Sequence, residues 1–314
     1  MRQGKDAKTA WRNVPKIKGT IFPFESFPPL LEFLKRNLPK GSHIALIGGG
    51  KGYLAPLLVN GERTFVTVDI ARIEDPAIPL IVADFEEPLP VLRQPNRELS
   101  ALATFSLEYG DIFLATKNIA EALHSGERFI FVFHHSDSPF LVSMKADKEM
   151  FELINAAIKG IASASREEWL WRCKGLEPQM RKMFADRGES QKFPDFDPIS
   201  ECDERTFMRY QIFQRETEPP LSIGLLAVLT LRLGYQNPHL LNNVLGSFAP
   251  SWEALKEAVD FAAPLLEKNI QNPQDVASLV DSRFRVTDGV GIGAREGDSS
   301  KTDIVCFALA FQKK

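Results

Sequence analysis

Cysteine is scarce in this chain: Cys173, Cys202 and Cys306 are the only three among 314 residues. They lie far apart, make no CxxC pair and have no metal-ligand spacing. That excludes a disulfide framework and a structural zinc site, and the chain reads as a reduced, cytoplasmic protein with no metal. No apolar run is long enough for a membrane span. The first eighteen residues are basic (Arg2, Lys5, Lys8, Arg12, Lys16 and Lys18 against Asp6), but no hydrophobic stretch follows, so no secretory signal is expected. A net charge of −3 leaves no electrostatic footprint of a nucleic-acid binder. Internal repeats and low-complexity tracts are absent, and nothing sets an oligomeric state.

What is present is an alternation of short apolar runs with helical patterns. Residues 28–38 (PPLLEFLKRNL) read as an amphipathic helix opened by two prolines and stopped by Pro39-Lys40-Gly41. His43–Ile47 is a short apolar run between turn residues, the pattern of a buried parallel strand. Helix is expected over Tyr53–Val59 and Asp111–Leu123. Strands are expected over Thr64–Asp69, Ile78–Asp84, Ser100–Leu107 and Arg128–Phe133. Such alternation builds βαβ units with helices on both faces of a parallel sheet. Residues 138–280 change to helical periodicity, with apolar faces at Phe151, Ile154, Ile158 and Ile161 and at Trp252, Leu255, Val259, Ala262 and Leu266. Two more strands, Arg283–Thr287 and Asp303–Phe311, are joined by a glycine-rich link, as in a hairpin.

The densest signal is "LIGGGKGYLA", which follows the first strand directly. A phosphate-binding GxxxxGK[ST] loop fails there, because Gly52 follows Lys51 and Ala45 stands at the earlier glycine position. The dinucleotide pattern GxGxxG is met only in part, because Tyr53 occupies the third glycine position. The pattern GxGxG is complete in Gly48, Gly50 and Gly52, with Gly49 beside them. A bend of this kind lets backbone pass close under a ligand, where any β-carbon would collide.

Here the chain resembles the class I S-adenosylmethionine-dependent methyltransferases over about residues 28–135 and 280–314. Asp69 closes the second strand 17 residues after Gly52 (69 − 52), and Asp84 closes the third. The resemblance implies that Asp69 binds the ribose hydroxyls, that Asp84 meets the adenine amino group, that Phe85 packs on the adenine, and that Ile70 and Leu107 also belong to the cofactor site. With Gly48, Gly49, Gly50 and Gly52 they form the expected cofactor site. It also implies a Rossmann-like, mostly parallel seven-stranded sheet whose last strand is antiparallel, the α/β class, with a helical insertion. Two positions depart from the family pattern: Leu46, where an acidic residue is common, and Ser100, where the fourth strand often opens with Asp.

Ligands of an open α/β sheet sit at the carboxyl ends of its strands. Glu108 and Tyr109 follow the fourth strand and are the candidate acceptor-binding residues. His134 and His135 follow the fifth and are the candidate base, since imidazole suits proton removal from a hydroxyl near neutral pH. No Asp/Asn-Pro-Pro-aromatic sequence follows the fourth strand, which points toward a small-molecule acceptor rather than nucleic acid, with a protein acceptor second. The organisation expected is a 1–27 extension, a cofactor domain of 28–137 and 281–314, and a 138–280 helical insertion covering the substrate. Aromatics such as Trp169, Trp171, Phe184 and Phe207 would line that cover. Two other readings fit parts of the pattern: a nicotinamide-dependent oxidoreductase, and a protein that binds S-adenosylmethionine without catalysis.

Overall fold

The computed structural model describes residues 24, 27–59, 62–73, 76–90, 92–186, 227–228, 231–232, 252–253, 256, 259–260, 263–268, 270–295 and 302–314. They form two compact units. One contains Met1–Val142 with Phe261–Lys314; the other is Ser143–Asp260. Residues 261–280, helical by pattern, therefore belong to the sheet-bearing unit.

In the first unit, α1 (Pro28–Asn37) precedes β1 (His43–Ile47), the short α2 (Ala55–Leu58), β2 (Thr64–Asp69), β3 (Leu80–Val82) and β4 (Leu99–Thr104). Then come α3 (Ile112–Ala122), β5 (Arg128–His134) and the start of α4 (Pro139–Ile158). After the second unit, α6 (Pro273–Leu279), β6 (Phe284–Arg295) and β7 (Thr302–Lys313) complete the chain. The seven strands lie in the order β3-β2-β1-β4-β5-β7-β6. β1 to β5 pair in parallel, while β7 runs antiparallel to both β5 and β6. This is the α/β sheet expected, with its reversed strand inserted next to the edge.

The central strands are apolar throughout because both faces are covered. Side chains alternate between two cores. Ala45, Ile47, Phe129, Phe131 and Phe133 face Ile112, Ala115 and Ile119 of α3 and Val276 of α6. Ile44, Leu46, Ile130 and Val132 face Leu30, Phe33 and Leu34 of α1. Each fully buried phenylalanine contributes about 1.5–3 kcal/mol of hydrophobic stabilisation. Pro28 and Pro29 open α1, where a missing N–H costs nothing. Asp111 caps α3 by accepting from the Leu114 amide at 3.0 Å. Asn272 and Asp275 form a reciprocal cap on α6.

Several boundaries differ from the sequence expectation. β3 spans three residues rather than seven, so Asp84 lies two residues past its end. β4 stops at Thr104 because Phe105 turns into the left-handed region, at φ 53°. β6 is longer than its pattern: the glycine-rich stretch pairs with β7 as far as Arg295↔Thr302.

The second unit contains most of α4 and α5 (Arg166–Asp186). Ile154 and Ile161 are buried with Trp169, Cys173, Leu176, Met180 and Phe184 about Val228, Leu231 and Val259, while Phe151, Ile158 and Trp252 pack against that core. Trp169 and Phe184 are therefore core residues, and Trp171 is exposed. Leu255, Ala262 and Phe207 lie outside the described residues. No helix among the described residues is long and apolar enough to cross a membrane.

Candidate functional site

The site forms where β1, β2, β3 and β4 end. Asp69, the last residue of β2, is 7 % exposed. Its Oδ2 accepts the Gly50 amide at 3.0 Å and its Oδ1 accepts the Ala71 amide at 2.9 Å. Burial pushes the Asp69 carboxyl upward, and the amide bonds from Ala71, Gly50 and Ile70 act against that push. Thr67 donates to the Gly50 carbonyl at 3.2 Å, so β2 holds both backbone polar groups of Gly50.

The four glycines do different work. A β-carbon on Gly48 would lie 2.4 Å from Ser106 Cβ; on Gly49, 2.5 Å from Leu46 Cβ; on Gly52, 2.5 Å from Ile78 Cγ1. Packing inside the protein accounts for these three. Gly50 alone, at φ 55°, has nothing within 4 Å of that position. Its bare Cα is the open part of the loop.

Gly48, Asp69, Ile70, Asp84 and Phe85 line one crevice together with Tyr109. Asp84 Oδ1 accepts the Glu86 amide at 2.9 Å, an Asx turn that turns the chain away from β3. Leu107, expected in the cofactor site, is fully buried in the core, and of the four glycines only Gly48 lines the crevice, not Gly49, Gly50 or Gly52. Glu86, Phe105, Ser106 and Gly110 line the crevice without having been singled out by pattern. Ser106 donates to the Ile47 carbonyl at 2.8 Å and so locks the β4 exit to the glycine loop. The Glu86 carboxylate crosses to the Asp111 amide, 3.0 Å away.

Behind this crevice is a second group. His134 closes β5 and is 8 % exposed; Glu108 is 1 % exposed. Glu108 Oε1 accepts the His134 amide at 3.2 Å and also meets His134 Nδ1. The His134 ring packs against Phe105, tilted at a centroid distance of 4.3 Å, and against Phe140, stacked at 4.7 Å. Burial and the Glu108 charge raise the Tyr109 phenol above its ordinary range. Burial lowers the Lys268 ammonium, against the opposing charges of Glu108, Asp111, Glu267 and Glu86. Burial, with a smaller push from Glu108, moves the Cys306 thiol up to about 12, so it stays protonated.

His135 is engaged elsewhere. Its Nδ1 accepts the Asp137 amide at 3.1 Å, which leaves Nε2 to donate to the Gln271 carbonyl at 3.2 Å. It fastens the loop after β5 to the segment before α6. Among the described residues no group of His, Cys, Asp and Glu could hold a metal ion.

The residues fit an adenosyl group. Two carboxylates converge on one crevice, apolar Ile70 and Phe85 stand beside them, and the single unfilled glycine position lies next to Asp69.

No family model matches the chain, and no curated protein matches it. Solved structures similar to it include S-adenosylmethionine-dependent methyltransferases. One from Mesorhizobium loti is 21 % identical over 34 % of this chain and 53 % of its own, with a TM-score of 0.27. One from Thermotoga maritima, described as a possible histamine N-methyltransferase, is 22 % identical over 38 % and 56 %, with a TM-score of 0.29. An O-methyltransferase of neocarzinostatin biosynthesis, in complex with S-adenosyl-L-homocysteine and 1,4-dihydroxy-2-naphthoic acid, is 17 % identical over 33 % and 36 %, with a TM-score of 0.27. The matched part of this chain thus spans between about a third and just over half of each of those proteins.

Proposed function

We propose that this protein transfers the methyl group of S-adenosylmethionine to a small-molecule acceptor. The observation that carries this reading is the convergence of Asp69 and Asp84 on one crevice, beside the glycine loop that lines it with Gly48 and whose Gly50 amide Asp69 holds. S-adenosylmethionine supplies a methyl group on a positively charged sulfur, already activated for displacement. The protein's task is then to hold and align. Asp69 has carboxylate lone pairs left over for the ribose hydroxyls, and Asp84 accepts from the adenine amino group. Ile70 and Phe85 cover the base. Gly50 gives the amino-acid end room against the backbone.

Isothermal titration of the full chain with S-adenosylhomocysteine and with NAD tests the reading. Micromolar binding of S-adenosylhomocysteine with no response to NAD is the expected result. Binding of NAD instead would make the protein an oxidoreductase. Binding of S-adenosylmethionine with no methyl transfer to any member of a broad acceptor panel would make it a non-catalytic binder.

A further inference from the structure

We propose that the end of the sheet where β5 begins carries a second ligand site, which takes a small molecule bearing a phosphate monoester. The site is a cleft of about 300 Å³ lined by Arg36 and Asn37 of α1, Arg128 of β5, Thr287 and Asp288 of β6 and Gln312 of β7. Arg128 opens β5, whereas the crevice with Asp69 and Asp84 lies at the carboxyl ends of the strands. At about 3.3 Å per residue, the length of β5 puts about 20 Å between its two ends. The cleft is therefore separate from the crevice and does not depend on the methyl-transfer reading.

Strand pairing builds the cleft. Gln312 pairs with Arg128 on one side and with Arg285 on the other, so the three side chains stand in one row on one face. A register shift between Val286 and Asp288 bulges β6 at Thr287, whose hydroxyl donates to the Ala310 carbonyl at 3.1 Å. Asn37, 5 % exposed, fastens α1 to that bulge. Its Nδ2 donates to Asp288 Oδ2 at 2.9 Å and to the Phe33 carbonyl at 3.1 Å. Arg128 donates to the Asn37 carbonyl at 3.1 Å. Gln312 is held at both ends of its amide: Oε1 accepts from Arg285, and Nε2 donates to the Gly126 carbonyl at 2.9 Å. The Arg36 guanidinium stands over the Phe33 ring, 5.6 Å from its centroid.

The donors and acceptors set the charge of the ligand. Asp288, the one carboxylate in the lining, already accepts from Arg36 at 2.7 Å, from Asn37, and from the Gly289 amide at 2.8 Å. The Asn37 amide, with Arg36 and Gly289, outweighs burial and holds the Asp288 carboxyl below the usual range. A guanidinium has five N–H groups. Among the described residues Arg128 and Arg36 each make one hydrogen bond, and Gln312 keeps a second N–H. The cleft has donors to spare and few acceptors, which suits an anion. Burial and the Glu127 charge raise the Glu98 carboxyl while the Arg128 charge pulls it down, so one acid stands near Arg128 without bonding it. The forked edge of arginine matches phosphate and carboxylate oxygens. A phosphate monoester has three acceptor oxygens and about 1.5–2 negative charges near neutral pH, enough to engage Arg36 and Arg128 together. At about 30 Å³ per water, the cleft has room for about ten waters, more than a bare phosphate fills. The remaining space takes the organic part of the ligand.

The test is isothermal titration of the full chain at low salt with ribose 5-phosphate, inorganic phosphate and ribose. Ribose 5-phosphate is expected to bind with a submillimolar dissociation constant, at least fivefold tighter than inorganic phosphate, and ribose is expected to give no heat. Arg128→Gln should weaken ribose 5-phosphate binding at least tenfold. Asp288→Asn removes the charge that competes for Arg36 and should tighten binding several-fold, a gain that a purely structural cleft would not give. Circular dichroism checks that each variant is folded. No binding of ribose 5-phosphate at about 10 mM, equal binding of ribose or of inorganic phosphate, or unchanged affinity in Arg128→Gln overturns the proposal. If Arg128→Gln or Asp288→Asn fails to fold, Arg36→Gln decides, because the Arg36 side chain is 65 % exposed. A several-fold loss of affinity there supports the site, and unchanged affinity overturns it.

Discussion

Asp69 and Gly50 are 19 residues apart in sequence, yet the Asp69 Oδ2 atom accepts the Gly50 amide at 3.0 Å. The end of β2 thus holds the loop after β1 in the one conformation that leaves Gly50 open. The carboxylate proposed to receive the ribose hydroxyls also holds the glycine loop. Replacing it therefore removes both ligand bonds and loop order. Hydrogen bonds to a charged group are worth about 1.5–3 kcal/mol each. Asp69→Ala should weaken S-adenosylhomocysteine binding by roughly 10–100-fold, read by isothermal titration. An unchanged dissociation constant would remove Asp69 from the site.

Two glycines of the loop separate internal packing from the proposed ligand approach. Gly48→Ala puts a methyl group 2.4 Å from Ser106 Cβ at φ 64°. That combines overpacking with left-handed strain, at about 1–3 kcal/mol for each. Gly50→Ala meets no neighbour and carries only the strain of φ 55°, about 1–2 kcal/mol. Gly48→Ala should thus melt at the lower temperature without ligand, whereas Gly50→Ala should lose more cofactor affinity than stability. Thermal melts with and without S-adenosylhomocysteine compare the two; equal behaviour in both measurements would contradict this division.

Much of this arrangement was readable from residues alone, for a physical reason. β1, β2 and β5 are covered on both faces, so they appear as continuous apolar runs, and Asp69 stands where such a run ends. β6 was shortened because DGVGIG reads as a loop. In the sheet Gly289 leaves room for the Leu309 side chain and Gly291 for the Phe307 ring, so those glycines belong to a strand. The apolar pattern carries β4 on to Leu107, which puts Leu107 among the expected cofactor residues. The chain leaves the strand three residues earlier, and Leu107 turns into the core. Nothing local marks that exit, since phenylalanine rarely takes a positive φ. The contacts of Ser106 with Ile47 and of Phe105 with His134 join distant segments, and no spacing announces them.

The strained backbone at Phe105 predicts an inverted order of substitutions. Glycine in a regular element is usually less stable than alanine by about 0.5–1 kcal/mol. At φ 53° an alanine keeps the left-handed strain of about 1–2 kcal/mol, and a glycine relieves it. Both variants lose the same ring contacts with His134 and Phe24. Phe105→Gly should therefore melt above Phe105→Ala. Denaturant unfolding of the pair decides it, and the usual order would mean that the backbone relaxes once the ring is gone.

Glu127 gives the clearest acid dependence. Burial alone would raise its carboxyl, but the two-pronged bond from Arg93 and the amides of His124 and Leu99 outweigh burial and hold it below the usual range. A carboxyl depressed in the folded state adds stability that is fully present above its unfolded value, near about 4.3, and is lost as pH falls through the folded value. Because Glu127 fastens the start of β4 to the turn before β5, the loss is felt by the sheet. Glu127→Gln leaves donors facing an amide and should cost roughly 1–3 kcal/mol at neutral pH. The gap in melting temperature between the native chain and the variant should narrow as pH drops toward 3 and widen again on return to 7. A gap that stays constant over that range would assign the effect to shape rather than charge.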